Sequence, residues 1–212
     1  MADGTSRKLG PGVVEVLHPD AAYLSTGQPD PVTAPNAYST PVLVQWGTAR
    51  IVLGADLPSA EWDAVLQATR KPDLADHGAL KVSHHGSMGS VADELVRSVY
   101  RSAVATITPW HLGRGLLPKL GVGGGVSWLL ERRMGVGLTS PGRALTQGLP
   151  QSVAHSLLVE SVQRRELPGG AAAIEVKQSY DPDECWIAVT FTRDGDLEAA
   201  EFGREARLIV RG

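Results

Sequence analysis

Short apolar runs, each stopped by a glycine, a proline or a polar cluster, constrain the fold of this chain most. These runs have the length and composition of β-strands. They lie at residues 13–17, 42–46, 49–53, 79–83, 103–108 and 135–139. The 24 glycines and 14 prolines among the 212 residues favour many turns over a helical bundle. The pattern therefore predicts a sheet as the centre of the fold.

Apolar residues at helical spacing follow several of these strands. The predicted helices span residues 59–70, 91–100 and 126–133. This alternation of strands and helices is typical of an α/β fold. The proline-rich segment 18–41 is expected to be a loop.

The last third of the chain favours strands alone. Predicted strands lie at residues 155–162, 172–177, 185–192 and 206–210. We therefore expect two parts: an α/β domain over residues 1–149, and a β-rich extension over residues 150–212 that packs on the same domain.

Composition excludes several classes of protein. The single cysteine, Cys185, excludes a disulfide framework and a zinc site of four thiolates. A net charge of −3 gives no general attraction to nucleic acid or to an acidic membrane. No apolar run approaches the roughly 20 residues that span a bilayer, and the first residues lack the apolar centre of a signal peptide. We expect a cytoplasmic protein without a membrane partner.

Two groups of polar residues follow predicted strands and could carry chemistry. Asp56 comes directly after the strand at 49–53, where an acidic side chain faces the crevice that binds ligands in α/β folds. The alternative is that Asp56 caps the helix that begins near Ser59. His84 and His85 follow the strand at 79–83, and neutral imidazole is a common metal ligand. The alternative is an ordinary loop.

Taken together, the two groups favour a site. One helical crossover separates them, and a parallel crossover brings the carboxyl ends of both strands to the same edge of the sheet. We therefore expect the Asp56 carboxylate and the His85 imidazole to converge on a shared cation pocket.

Three segments resemble the metallo-β-lactamase superfamily, in particular the branch that contains the hydrolase domain of ComEC-like competence proteins. They are residues 36–44 (NAYSTPVLV), 51–56 (IVLGAD) and 80–87 (LKVSHHGS), and the likeness extends over residues 13–140. The resemblance implies half of an αββα sandwich, followed here by the β-rich extension.

The resemblance also implies roles for four residues. Asp56 matches the aspartate that bridges two metal ions, and His85 matches a late histidine ligand. His84 would contact substrate or orient that ligand. His111 lies in the loop where relatives place a late active-site histidine, although an exposed loop histidine is the simpler alternative. The metals would be two divalent cations, zinc first and manganese second, which lower the pKa of a bound water.

One motif of the family is absent. His-x-His-x-Asp-His, its principal metal-binding motif, occurs nowhere among the six histidines. The chain therefore resembles the C-terminal half of the fold, and two ligands do not make a tight zinc site. We expect a partner chain that supplies the missing half, or self-association, and an incomplete metal content in the isolated chain.

Two functions are consistent with these residues. The first is a metal-dependent hydrolase module, phosphodiesterase-like or nuclease-like, and the second is a non-catalytic scaffold that keeps part of the fold. A locally basic stretch could bind a phosphate-containing substrate or could be a solvated helix end. It comprises Arg114, Lys119, Arg132, Arg133 and Arg143. The tryptophans at apolar positions are expected mostly in the core, namely Trp46, Trp62, Trp110 and Trp128.

Overall fold

A mixed sheet of eight strands dominates the computed structural model of the protein. The structure describes residues 6–27, 29–67, 77–97, 99–110, 117–119, 123–132, 135–139, 163–166, 172–175, 183, 185–192, 194, 197–203 and 206–209.

The strands alternate with short helices along the chain. The strands are β1 (Ser6–Leu9), β2 (Gly12–Val16), β3 (Val42–Trp46), β4 (Ala49–Leu53), β5 (His77–Lys81), β6 (Val99–Ile107), β7 (Gly135–Leu138), β8 (Gln163–Glu166), β9 (Ala172–Glu175), β10 (Ile187–Phe191), β11 (Leu197–Phe202) and β12 (Arg207–Ile209). The α-helices are α1 (Ala21–Thr26), α2 (Ser59–Gln67), α3 (Asp93–Arg97) and α4 (Gly125–Glu131). Three 3₁₀ turns span Pro35–Tyr38, Ser83–Gly86 and Met88–Ser90.

The main sheet has the order β1-β2-β3-β4-β5-β6-β7-β12. Strands β1 to β4 pair antiparallel, β4 to β7 pair parallel, and β12 pairs antiparallel with β7. Each parallel connection contains a helix, namely α2, α3 and α4 in turn. The α/β class predicted from the alternating pattern is therefore confirmed.

The core lies on one face of the sheet. A row of directly paired residues crosses five strands, and each is at most 2% exposed. The row consists of Leu43, Val52, Leu80, Ala105 and Val136. The three crossover helices cover it with Trp62, Val65, Leu66, Leu95, Val96, Val126, Leu129 and Leu130. Burial of this apolar surface is the main stabilising term of the fold.

The opposite face of the central strands is less buried. Side chains of adjacent residues in a strand point to opposite faces, and several of these neighbours of the core row are more accessible. Ile51, Lys81 and Thr106 are half-buried, and Leu53 is 41% exposed. This face is therefore less closely covered at these four residues, although Ala49, Ala79 and Gly137 on the same face are buried.

Two predictions about the first hundred residues are wrong. The proline-rich segment 18–41 contains α1, whose N-cap Asp20 accepts a hydrogen bond from the Tyr23 amide at 2.6 Å, and also the turn Pro35–Tyr38. Proline fits the first turn of a helix, so it begins such elements as readily as it ends them. The helix predicted at 91–100 ends at Arg97, because β6 begins at Val99.

The last third of the chain extends the main sheet. β12 pairs with β7, with Arg207 opposite Leu138, while β8–β9 and β10–β11 form separate hairpins. The predicted strand at 155–162 and the boundary between residues 149 and 150 lie outside the described residues. In the described part of the chain, no helix is long and apolar enough to cross a membrane.

Candidate functional site

The carboxyl ends of the three parallel strands β4, β5 and β6 lie at one edge of the sheet. Asp56 follows β4, His84 and His85 follow β5, and Thr108 and Trp110 follow β6. Ligands of open α/β sheets bind outside such strand ends. As the parallel crossover predicts, the Nε2 atom of His85 lies 4.0 Å from Oδ1 of Asp56. We call this edge, with these five residues, the strand-end site.

The orientation of His85 is fixed by a hydrogen bond to the next strand. Its Nδ1 atom lies 2.7 Å from the Thr108 carbonyl oxygen. A carbonyl can only accept, so Nδ1 is the donor in this hydrogen bond, and Nε2 is the ring nitrogen that faces Asp56. Metal-binding histidines are commonly held in this way, with one ring nitrogen on a carbonyl and the other on the ion.

The backbone of the strand-end site is strained. Ala55 (φ 48°), His84 (φ 45°) and His85 (φ 53°) are left-handed, and no other non-glycine residue with positive φ occurs in the described ranges. Each such residue costs about 1–2 kcal/mol. Strain of this kind persists only where the surrounding structure enforces it, and it is concentrated at functional sites. Here the His84 amide donates to the Ala55 carbonyl at 2.9 Å and joins the two strained turns.

A buried polar relay, formed by the hydrogen bonds from Trp62 to Ser83 and from Ser83 to Gly54, stabilises these turns. The Ser83 hydroxyl donates to the Gly54 carbonyl at 2.9 Å and accepts from the Trp62 indole N–H at 2.8 Å. Both side chains are buried. A Cβ atom at Gly54 would overlap Ser83 Oγ, so only glycine lets the ends of β4 and β5 approach this closely. Trp62 of α2 thereby links the core to the strand-end site.

Gly86 closes the histidine turn. It has a positive φ of 74°, and a Cβ there would lie 2.9 Å from Ile107 Cδ1 and 3.1 Å from Pro118 Cβ. Both its conformation and its surroundings therefore favour glycine. The histidine turn is thus packed between the end of β6 and the segment that contains Pro118.

Lys81 adds a positive charge that the sequence pattern did not single out. Burial lowers the pKa of the Lys81 ammonium, while the negative charge of Asp56 acts in the opposite direction. Its Nζ donates to the Val82 carbonyl at 3.0 Å. The signal was available, since alternation in β5 places Lys81 on the face opposite Leu80 and at the strand's last position.

The other predicted site residues are less closely associated with the Asp56–His85 pair. His84 Nδ1 lies 3.4 Å from the Ser90 hydroxyl, and its ring centroid is 6.2 Å from that of His85. His111 lies outside the described residues. Over the described ranges, no three His, Cys, Asp or Glu side chains form a group that could hold a metal ion.

Trp110 is exposed, as is Trp46, so the predicted place of both in the core is wrong. The Trp110 indole is 42% exposed, and its ring centroid lies 5.2 Å from that of His85 at an interplanar angle of 34°. Trp110 follows a proline beyond the end of β6, where the core row has already ended. Because it lies beyond the core row, its apolar side chain did not suffice to predict its burial.

The basic stretch is partly engaged in structural contacts. Arg132 donates to Asp93 through Nε and Nη2, both at 2.6 Å, and its guanidinium lies 3.6 Å from the Trp128 ring centroid. These contacts join α3 to α4, which supports the helix-end alternative for Arg132. Lys119 is exposed, while Arg114, Arg133 and Arg143 lie outside the described residues.

Comparison of the chain with protein-family models, with curated proteins and with solved structures found no match. The function is therefore inferred from the strand-end site and from the sequence motifs that form it.

Proposed function

We propose that the chain is a metal-dependent hydrolase module of the metallo-β-lactamase fold, in which Asp56 and His85 supply part of a dinuclear metal site. The reaction is hydrolysis of a phosphodiester or a related ester. The observation that carries this proposal is the approach of His85 Nε2 to Asp56 Oδ1 at 4.0 Å, with Nδ1 of the same ring engaged by the Thr108 carbonyl.

The two side chains fit a shared cation. Zn–N and Zn–O bonds are about 2.0–2.2 Å long, so two donors on one ion lie at most about 4.3 Å apart and about 3.4 Å apart at a tetrahedral angle. The observed separation falls within the first limit. A small rotation of the half-exposed Asp56 carboxylate would reach the second. Zinc or manganese suits one imidazole and one carboxylate.

In this proposal each residue of the strand-end site has a separate role. Asp56 and His85 would hold the ions, and the Thr108 carbonyl fixes the His85 ring for that task. When bound, such a metal pair lowers the pKa of a water molecule so that hydroxide is available near neutral pH. Lys81 partly balances the Asp56 charge. His84 would contact substrate beside His85.

The remaining metal ligands come from outside this set. Zinc sites generally need three or four protein donors, and the proposal assigns the missing ones to a partner chain or to a second copy that supplies the other half of the fold. The less buried face of the central strands supports this assignment, because a second layer would cover it. Leu53, which is 41% exposed, lies on that face at the end of β4, and Gly54 and Ala55 connect it to Asp56.

The second candidate is a non-catalytic scaffold that retains half of the fold. It is favoured by the fact that only two potential metal donors approach each other at the described part of the strand-end site. In this case Asp56 and His85 are a remnant, and the partner interaction is the function.

Paramagnetic broadening by Mn²⁺ tests the metal site even if it is weak. We expect millimolar Mn²⁺ to broaden the NMR signals of the His85 imidazole in the wild-type chain. Asp56→Asn should abolish this broadening because it removes the charged donor. Asp63→Asn is the matched control, since Asp63 is an exposed carboxylate on α2, and it should leave the broadening unchanged.

Hydrolysis then separates the two candidates. With Mn²⁺ or Zn²⁺ present and the site completed by a partner or a second copy, the hydrolase predicts turnover of bis(4-nitrophenyl) phosphate. This turnover should be lost in Asp56→Asn and in His85→Gln and retained in Asp63→Asn. Broadening without turnover, in the isolated chain and in a complex with its partner, would support the scaffold. Equal broadening in the wild type and in Asp56→Asn would contradict both the metal site and the hydrolase.

A further inference from the structure

The exposed indole of Trp110 differs from that of Trp46 by its position. Exposed large apolar side chains are common and carry no meaning singly. Trp46 is 52% exposed at the opposite end of the β3–β4 hairpin, where it pairs with Ala49. Trp110 instead lies against His85, with the two ring centroids 5.2 Å apart.

Two backbone hydrogen bonds join Trp110 to a single residue, Leu117. The Trp110 amide donates to the Leu117 carbonyl at 2.8 Å, and the Leu117 amide donates back to the Trp110 carbonyl at 3.0 Å. The next residue, Pro118, is buried and lies close to Gly86 of the histidine turn. The bridge thus fixes the backbone of Trp110, and the indole lies beside His85.

We propose that Trp110 is a specificity-determining residue, which stacks on a planar aromatic group next to the ester bond that the strand-end site hydrolyses. The hydrolysis rests on the proposed function, whereas the stacking does not require it. An indole face offers a large apolar area and a π-system to a flat ring. The angle of 34° between the indole and the imidazole leaves the indole tilted away from full stacking on His85, so much of its surface stays accessible.

A pair of ligands with equal charge isolates the contribution of the ring. Phenyl phosphate and methyl phosphate differ in the presence of the aromatic ring, and both are titrated into the wild-type chain without metal. Binding is followed by the NMR shift of the Trp110 indole N–H. We expect the dissociation constant of phenyl phosphate to be about tenfold lower, within the range of a single stacking contact. Equal affinities would overturn the proposal.

Two variants assign that preference to one residue. Trp110→Leu keeps an apolar side chain but removes the aromatic face, so the ratio of the two dissociation constants should fall to about one. Trp46→Leu is the matched control and should retain the preference. If the preference survives in Trp110→Leu, the proposal is wrong. If Trp110→Leu does not fold, the wild-type titration of the two phosphates still decides the proposal.

Asp56→Asn distinguishes this proposal from the hydrolase itself. The variant should lose Mn²⁺ broadening and turnover but keep the tenfold preference for phenyl phosphate, because it leaves Trp110 intact. Failure of hydrolysis with a retained preference would contradict the proposed function alone. Loss of the preference in a folded Asp56→Asn chain would show that Trp110 does not provide it, and would overturn the stacking site.

Discussion

The core row crosses the three strands that lead to the strand-end site, but the two regions differ in backbone and side chains. In the core row, Val52, Leu80 and Ala105 have extended backbones and apolar side chains that are almost fully buried. Only a few residues further along the chain, Asp56 and His85 are polar and partly exposed. Asp56 follows a left-handed residue, and His85 is itself left-handed. The comparison shows that regular strands supply rigidity, while the irregular turns after them supply the chemistry.

Trp62 joins the two regions, and its removal should have the largest effect. Trp62→Ala deletes a fully buried side chain from the core and also its hydrogen bond to Ser83. We expect the free energy of unfolding to fall by about 3–5 kcal/mol, measured by urea denaturation. Trp62→Phe keeps most of the apolar volume and should cost less. If both variants cost the same, the hydrogen bond rather than the packing would dominate.

Ser83 carries the polar part of that link. Ser83→Ala leaves the Trp62 indole N–H and the Gly54 carbonyl without this partner in a buried environment. The expected loss is about 1–3 kcal/mol in the free energy of unfolding, and Mn²⁺ broadening at His85 should weaken because the two turns lose their shared support. Ser25→Ala, in an exposed position on α1, should change stability by less than about 0.5 kcal/mol. A similar small effect at Ser83 would show that the relay is not important.

Two alanines test the strain directly. Ala55→Gly removes the strain of a left-handed alanine, which is about 1–2 kcal/mol. It also increases the conformational entropy of the unfolded chain, which costs about 0.4–1 kcal/mol. The free energy of unfolding should therefore rise by about 0.5 kcal/mol. Ala79→Gly, in the interior of β5 and buried, should lower stability by about 1 kcal/mol. Thermal unfolding of both variants gives the sign. Destabilisation by both substitutions would mean that Ala55 is not strained.

Much of the fold and part of the site follow from local patterns. The hairpin of β3 and β4, the crossovers and the approach of Asp56 to His85 were predicted because apolar strands and the helices between them are specified by nearby residues. The whole-fold assignment to a metallo-β-lactamase sandwich stays a prediction, as do the metal and the roles of His84 and His111.

Other features depend on contacts between distant parts of the chain. The left-handed turns at Ala55 and His84 have no glycine signal, since they are enforced by the hydrogen bond between them. Trp110 is accessible because of where the bridge to Leu117 places it, and composition cannot reveal that. Lys81 was missed because a lysine at the end of a strand is usually exposed to solvent.

The pairing of β12 with β7 has a consequence for the order of folding. About 70 residues separate these partners along the chain, so β7 emerges from the ribosome with its outer edge open and waits for β12 to be synthesised. Contacts of such long range form late and slow the overall folding rate. During that interval the nascent chain is exposed to aggregation through β7, and a chaperone that shields this edge would raise the yield of native protein.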